Sequence, residues 1–394
     1  MAPVSVRVAD VGVIRPVRLR ERLLTYRGAI GGRAWWLAPV LWLALSPAQA
    51  VVLPEDRGDA MYHYYDGGGT KVDGPALLVR KELADTVSVY GSYYADSISG
   101  ASIDVTTTAS PYKETRQERG VGVDYLHRNT IMGLSYTTSE ERDYRANTLG
   151  VNVAHDVFDG LTTVTLGYTA GKDEVGKTGT DFKRDVNRYQ YRLGLSQVFT
   201  KTFLMNLDYE GILEDGYLQS PYRAARLQGL LVPERYPGTR DSYAIAVRAL
   251  KGLTTADDKL SSSIRFEYRY FSDTWDIRAS AVEAGYQRYF DSRWLGEIHY
   301  RYYHQTAASF YSDNFPTQMN YMARDKELAT FKSHSVGAKA TYRLFERRYG
   351  MNRASLSLEY DFMRFNYDNF TDTRNGQLYA FNANVLQLWL SAWY

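Results

Sequence analysis

At 394 residues the chain has room for two or three ordinary domains, or for one large β-barrel. Its 47 basic and 45 acidic residues leave a net charge of only +2 and form no basic stripe, which excludes a dedicated nucleic-acid binder. The absence of cysteine excludes disulfide frameworks, thiolate metal sites and cysteine nucleophiles, and the 34 tyrosines against 15 phenylalanines point to a surface that is neither dry nor wet.

The first predicted element is a signal peptide. A basic region (Arg7, Arg15, Arg18, Arg20, Arg22, Arg27, Arg33) precedes an apolar run from Ala34 to Leu45, which closes on Ala48-Gln49-Ala50, a small-x-small cleavage pattern. That run is shorter than the roughly 18 apolar residues a spanning helix needs, so removal after Ala50 is expected rather than retention as an N-terminal anchor. The expected organisation is a signal peptide over 1–50 and a single barrel domain over 51–394.

Beyond residue 50 one pattern repeats: about ten residues of strict alternation, then a turn. In "RYQYRLGLSQ", Tyr189, Tyr191, Leu193 and Leu195 fall on one face, with Arg188, Gln190 and Arg192 on the other. "FLMNLDYE", "IRFEYRY" and "SLSLEYDF" repeat it. The segments are 60–66, 75–82, 86–96, 116–127, 130–139, 146–156, 161–171, 186–198, 202–213, 242–251, 260–271, 276–289, 294–306, 331–345, 352–367 and 380–394. They predict an all-β transmembrane antiparallel up-and-down barrel of 16 strands, or 14 if the first two segments are not strands.

Three features favour a membrane barrel over a soluble sandwich. The strands are long, aromatic residues gather at their ends, and the connections alternate in length. "HRNT", "HDVFDG", "VFTKT", "YFDSRW" and "ERRYGMNR" read as short periplasmic turns, whereas 96–115, 171–186, 214–241 and 307–331 read as long extracellular loops. Short helices are expected inside two of these loops, at 220–231 and 320–331.

The expected lipid-facing set is Val87, Val89, Val121, Val123, Met132, Leu134, Val151, Val153, Val164, Leu166, Ile245, Val247, Val336, Tyr342, Leu386 and Leu388. The opposite face carries charge. Asp124, Arg188, Arg192, Asp208, Glu210 and Arg248 are expected in the lumen, together with Arg265, Glu267, Arg269, Glu283, Glu297, His299 and Arg301. Lys339, Arg343, Glu359 and Asp361 complete the set. Burying so many charges in a dry core would cost several kcal/mol each unless they were paired, so a wet or salt-bridged lumen is expected.

Other motifs favour plain readings. "YDGGGTKVDGP" (65–75) precedes a strand rather than a helix, so it reads as a hairpin turn and not a phosphate cradle. Asp66, Asp73, Asp96, Asp104, Asp273, Asp276, Asp313, Asp325, Glu327 and Asp372 all fall on the predicted outer side; none has calcium-loop spacing, so solvated loop charge is the expectation. Of the six histidines only His299, between Glu297 and Arg301, sits in a polar network, and no Gly-x-Ser-x-Gly or His-Glu-x-x-His accompanies it. No catalytic residue, metal or cofactor is expected. The closing decapeptide "VLQLWLSAWY" reads as the last barrel strand, with Leu386, Leu388, Leu390, Ala392 and Tyr394 as a barrel-assembly signal.

Several stretches resemble an outer-membrane β-barrel family known as domain of unknown function 3570: "YHYYDGGGTKVDGPALLVRKEL", "YYADSISGASIDVTTTASPYKE", "YRLGLSQVFTK", "YRYFSDTWDI", "FYSDNFP" and "ARDKELATFKSH". The resemblance covers nearly the whole exported chain. It implies an outer-membrane barrel with no established substrate and no defined catalytic residue, and an exported redox or assembly system with a lipoprotein partner. Its blocks fall largely in the predicted outer loops, which makes 96–115 and 307–331 candidates for the functional surface.

The expected function is therefore an integral outer-membrane pore, or the membrane component of an exported multiprotein system. An outer-membrane enzyme with a rim site and a soluble exported β-protein are the alternatives. The expected partners are outer-membrane lipid, the barrel-assembly machinery and a lipoprotein or periplasmic protein; nucleic acid is not among them.

Overall fold

The structure, a computed structural model, describes residues 52–100, 112–254, 260–348 and 350–394. The expected signal peptide, Asp104 and most of the 96–115 loop lie outside them. Nine strands come first: β1 (Arg57–Gly67), β2 (Thr70–Ala84), β3 (Val87–Gly100), β4 (Tyr112–His127), β5 (Thr130–Glu140), β6 (Tyr144–Val157), β7 (Thr162–Gly176), β8 (Lys183–Thr200) and β9 (Phe203–Gly216). A small hairpin of β10 (Ala224–Leu227) and β11 (Leu230–Pro233) follows. The series resumes with β12 (Thr239–Thr254), β13 (Leu260–Asp273), β14 (Arg278–Tyr289), β15 (Trp294–Gln305), β16 (Phe331–Arg348), β17 (Met351–Thr371) and β18 (Leu378–Trp393).

Sixteen of these strands close into one antiparallel barrel, each paired with its chain neighbour, with β9 joined to β12 and β1 to β18. β1 and β2, the two least marked in the sequence, are both present, so the fourteen-strand alternative does not apply. Between them Gly68 and Gly69 turn the chain at φ of 60° and 83°, a conformation that suits glycine. The Gly-rich motif is a hairpin turn.

Alternation decides which face each residue takes. Leu134, Val151, Leu166, Leu193, Ile298 and Val336 are exposed on the outer wall. Phe158, Phe199, Phe290 and Trp294 are exposed near the end that carries the short turns, and Tyr136, Tyr189, Tyr243 and Tyr300 toward the other. A continuous apolar belt of this kind, rimmed by aromatic rings, is unfavourable in water and matched to a bilayer. Among the described residues no helix is long and apolar enough to cross a membrane.

Turns at the lower end are short, as at 128–129, 158–161, 201–202 and 290–293. At the upper end the strands run further than the hydrophobic pattern indicates. β7 and β8 stay paired up to Gly176 and Lys183, so the expected 171–186 loop shrinks to 177–182, and 214–241 shrinks to 217–238. Above the apolar belt the outer face of the ladder turns polar, with Lys183 and Glu174 ion-paired at 2.7 Å, while Val175 and Val186 are buried on the inner face, so the apolar phase that marks a lipid-facing strand ends while the backbone pairing continues.

Neither expected loop helix forms. Residues 220–231 instead build the β10–β11 hairpin, because Gln228 and Gly229 adopt φ of 51° and 84° and reverse the chain between Leu227 and Leu230. Residues 320–331 contain only a 3-10 turn, Lys326–Leu328, capped by the Asp325 side chain. The apolar residues that suggested helices pack between loops: Ala225 meets Phe315 and Met322, and Leu328 meets Trp275 and Phe310.

Candidate functional site

The barrel interior is built on glycine crossings. His299 on β15, Gly337 on β16 and Asp361 on β17 stand in register. A Cβ at Gly337 would lie 2.2 Å from both His299 Nε2 and Asp361 Oδ1, so its absence is what lets the two meet at 2.7 Å across the intervening strand. Arg265 likewise reaches over Gly285 to Glu297 at 2.9 Å. Gly133 provides the same clearance under Asp124 and Asn152. Long polar side chains thus lie flat along the wall and pair two strands apart, which offsets the cost of burying their charges.

Most residues read as lumen-lining come together in such pairs. Arg192 and Arg269 converge on Glu210 at 3.3 and 2.8 Å. Arg248 meets Glu267 at 2.7 Å, and Arg265 meets Glu283 at 2.7 Å as well as Glu297. Arg188 bridges Glu214 at 3.0 Å and Asp173 at 3.2 Å, and Lys339 holds Glu359 at 3.0 Å. Arg343 lies apart, at the register shift near the lower end of β16, paired with Glu346. Asp208 and Arg301 make no hydrogen bond or ion pair with any described residue. Asp208 is nevertheless faced by Arg248, Arg192 and Arg269.

The interior is lopsided. From β16 round to β4 it is filled: His63, Arg80, Ser88, Asp96, Asp124, Glu359, Ala383 and Gln387 are all buried. From β8 to β13 it is open: the Arg192 side chain is 57% exposed and that of Arg269 37%, although both point inward. The adjoining wall keeps its side chains short, with Gly133, Ser135, Gly150, Thr165, Gly167 and Thr169 at inward positions. Inward-facing side chains along β8–β13 are therefore reached by solvent, whereas those of the opposite side are not.

Two buried pairs on the filled side join Asp96 and Asp124, both named from the sequence, to His63 and Arg80, which were not. His63 Nε2 meets Asp96 Oδ1 at 2.7 Å and stacks on Tyr94 with ring centroids 4.8 Å apart. Arg80 pairs with Asp124 and lies over the Tyr90 ring at 4.5 Å. The available signal was alternation: His63 and Arg80 occupy the polar phase of strands whose other phase carries Tyr62, Leu77 and Val79.

The outer mouth is capped. The 306–330 loop is stitched to the β10–β11 loop by paired backbone bonds between Arg235 and Met322, both 2.9 Å, and by Phe315 N donating to Arg226 O at 2.7 Å. It reaches the barrel wall through Ser309 N to Trp275 O and Tyr311 Oη to Asn369 O, both 2.9 Å. Trp275, Ile277, Ala308, Phe310, Ala323 and Leu328 form its core. Gln305 on β15 holds it from below, donating from Nε2 to Glu327 O at 2.8 Å and Ala329 O at 2.9 Å.

Charges are buried inside this cap. Arg324 donates to Asp313 and to Thr371 O, stacks on Phe370 at 4.5 Å, and its backbone N–H donates to Glu234 Oε1 at 2.7 Å. Arg223 pairs with Asp325. Burial, reinforced by the nearby Asp325 carboxylate, pushes the Glu234 carboxyl up to about 7, and burial carries the Tyr236 hydroxyl, which donates to Glu234 at 2.9 Å, well above its usual range.

Two clusters have donor sets that suit a cation. His299, Glu359 and Asp361 offer ligand atoms within 4.8 Å of one another, but Lys339 already supplies positive charge there. Glu114, Glu141 and Asp143 gather at the outer rim, where burial and Glu114 raise the Glu141 carboxyl to about 7, and Arg116 is 4.0 Å away. Of the expected outer-side carboxylates, Asp96 and Asp273 are engaged within the barrel wall, Asp313 and Asp325 within the cap, and Asp372 with Arg374.

A family model described as "Protein of unknown function (DUF3570)" matches residues 103–382. No curated protein matches the chain in sequence. Among solved structures, a bacterial polysaccharide outer membrane secretin is similar at 7% identity and a TM-score of 0.47, covering 86% of this chain and 99% of its own. A FadL homologue from Pseudomonas aeruginosa is similar at 9% identity and a TM-score of 0.43, covering 86% and 90%. A loop-deleted OmpT, an outer membrane protein of Vibrio cholerae, is similar at 10% identity and a TM-score of 0.40, covering 86% and 98%.

Proposed function

The chain belongs to the DUF3570 family, and from that premise we propose that it is an outer-membrane pore for small polar solutes, closed at its outer mouth by a folded cap. One observation carries this reading: inward-facing Arg192 and Arg269 remain open to solvent along β8–β13 while the opposite wall is packed solid. A barrel serving only as a scaffold gains nothing from a solvated, charged stripe inside. The apolar outer belt supports placement in a bilayer, with Leu386, Leu388, Leu390, Ala392 and Tyr394 of the closing strand as the segment read by the assembly machinery.

The reading is of a pore rather than an enzyme. Among the described residues no serine or threonine hydroxyl bonds the imidazole of either histidine–carboxylate pair: Ser335 donates to Asp361 at 3.4 Å and has no bond to His299, and the hydroxyl on His63 Nε2 is that of Tyr94, at 3.2 Å on a ring stacked against the imidazole.

Reconstitution of the full-length protein in planar lipid bilayers tests this. Discrete conductance steps are expected, rare in the wild type and more frequent in Arg324→Ala, which loosens the cap. Silence from both proteins, each shown to be folded and inserted, would overturn the pore.

A further inference from the structure

We propose that Arg301 is the binding station for the anionic group, a carboxylate or a phosphate, of the solute that enters beneath the cap. The inference rests on the pore reading and deepens it.

Arg301 points inward from β15 and is half-buried. It makes no hydrogen bond or ion pair with any described residue, whereas Arg188, Arg192, Arg248, Arg265 and Arg269 are all engaged. Its in-register neighbours are Glu283 on β14 and Ser335 on β16. Both are committed elsewhere: Glu283 to Arg265 at 2.7 Å and Ser335 to Asp361. No Arg301 nitrogen is among the buried atoms without a partner, so the guanidinium keeps contact with the lumen.

The surroundings reinforce its charge. Tyr303, the next inward residue up the strand, lies in the field of Arg301, Arg240 and Arg269 together. Arg240 is held by Asp273 at 2.6 Å and stacks on Trp275 at 4.4 Å; Arg269 is held by Glu210. The Tyr303 hydroxyl donates to Gln305 Oε1 at 2.7 Å, and Gln305 carries the cap. The free guanidinium therefore stands directly below the closure. Asp208, another inward charge without a bond to a described residue, lies in the field of Arg248, Arg192 and Arg269. Arg301 has one carboxylate in register, Glu283, and Arg265 already holds it. A guanidinium presents a planar fork of donors that matches a carboxylate or phosphate two oxygens at a time, and leaving such a group half-desolvated without an acceptor is unfavourable.

The experiment titrates sodium phosphate and sodium acetate separately into the full-length protein in detergent by calorimetry, with Arg301→Gln and Arg301→Lys beside the wild type. Removing a side chain that has no bonded partner among the described residues leaves none of them unpaired, so both variants are expected to fold. Saturable binding of one anion per barrel, weakened at least tenfold in Arg301→Gln and less in Arg301→Lys, is the expected result, and the tighter salt identifies which acid the station prefers. Equal binding by wild type and Arg301→Gln, or no binding of either salt, would overturn it. Bilayer recordings separate this outcome from that of the pore. Arg301-dependent binding by a protein that never conducts keeps the station and removes the pore, whereas conduction with Arg301-independent binding does the reverse.

Discussion

His299 and Asp361 meet at 2.7 Å although a whole strand separates them, because the residue between them in the sheet is Gly337. The pairing is steric before it is electrostatic. Gly337→Ala places a methyl group 2.2 Å from each partner and forces both off the wall. The expected loss is about 1–3 kcal/mol, the usual range for overpacking, measured as a lowered midpoint in urea unfolding of the detergent-solubilised barrel. An unchanged midpoint would show that the pair can re-form elsewhere.

Arg80 and Asp124 form a deeply buried ion pair on the filled side, with side chains 7% and 11% exposed. Arg80→Ala strands the carboxylate and is expected to cost on the order of 3–5 kcal/mol. Arg80→Met combined with Asp124→Leu should recover most of it. A double variant no better than the single one would mean that the lost packing on Tyr90, rather than the orphaned charge, sets the cost.

The cap should loosen as pH rises. Glu234 has its carboxyl pushed up to about 7, above the ordinary glutamic acid range, by burial and by Asp325, with Arg223, Arg324 and Tyr236 the other groups that face it. A carboxyl raised in the folded state binds its proton more tightly there than when released. Its contribution to stability is therefore complete below the unfolded value and is lost as pH passes upward through about 7. Limited proteolysis within 217–238 and 306–330 is expected to be several-fold faster at pH 8 than at pH 5 relative to Glu234→Gln measured at the same pH. Parallel profiles for the two proteins would remove Glu234 as the cause.

The chain lacks cysteine, so a lock on the cap has no background. Arg235 and Met322 face each other across an isolated antiparallel bridge between the two capping loops. Arg235→Cys with Met322→Cys, once oxidised, is expected to abolish the bilayer conductance steps, and reductant to restore them. Steps that persist in the oxidised protein would mean that the passage opens without parting these loops.

The two faces of β8 should respond oppositely to charge. Leu193→Arg on the outer wall is expected to cost about 2–4 kcal/mol, as arginine does on the lipid face at mid-bilayer, whereas Gln190→Arg faces the solvated lumen and should be nearly neutral. Unfolding from lipid vesicles measures both. Equal tolerance at the two positions would argue against a membrane around this belt.

Period-two alternation in segments such as Arg188–Gln197 was enough to read the barrel, its strand number and the two faces, because each strand separates lipid from lumen and local order reports which side a residue takes. It also marked the polar phase that carries Arg192, Glu210, Arg265 and Glu359, but singled out neither His63 nor Arg80. It failed where alternation carries no information. Above the apolar belt the outer face turns polar while Val175 and Val186 are buried inward, so the apolar phase switches sides and the strands run on unseen. In the capping loops apolar residues are buried by other loops rather than by their own helix, so "SPYRAARLQGLL" looked helical and is a hairpin.

Taken alone, the order of residues determined that this chain is a charged-lumen β-barrel with an apolar outer wall, since those properties repeat every second residue within single strands. Tertiary structure alone decided which charges meet, which wall is filled, and that Arg301 has no bonded partner among the described residues. Those outcomes depend on register across three or more strands and on missing Cβ atoms such as that of Gly337, and no local pattern encodes them.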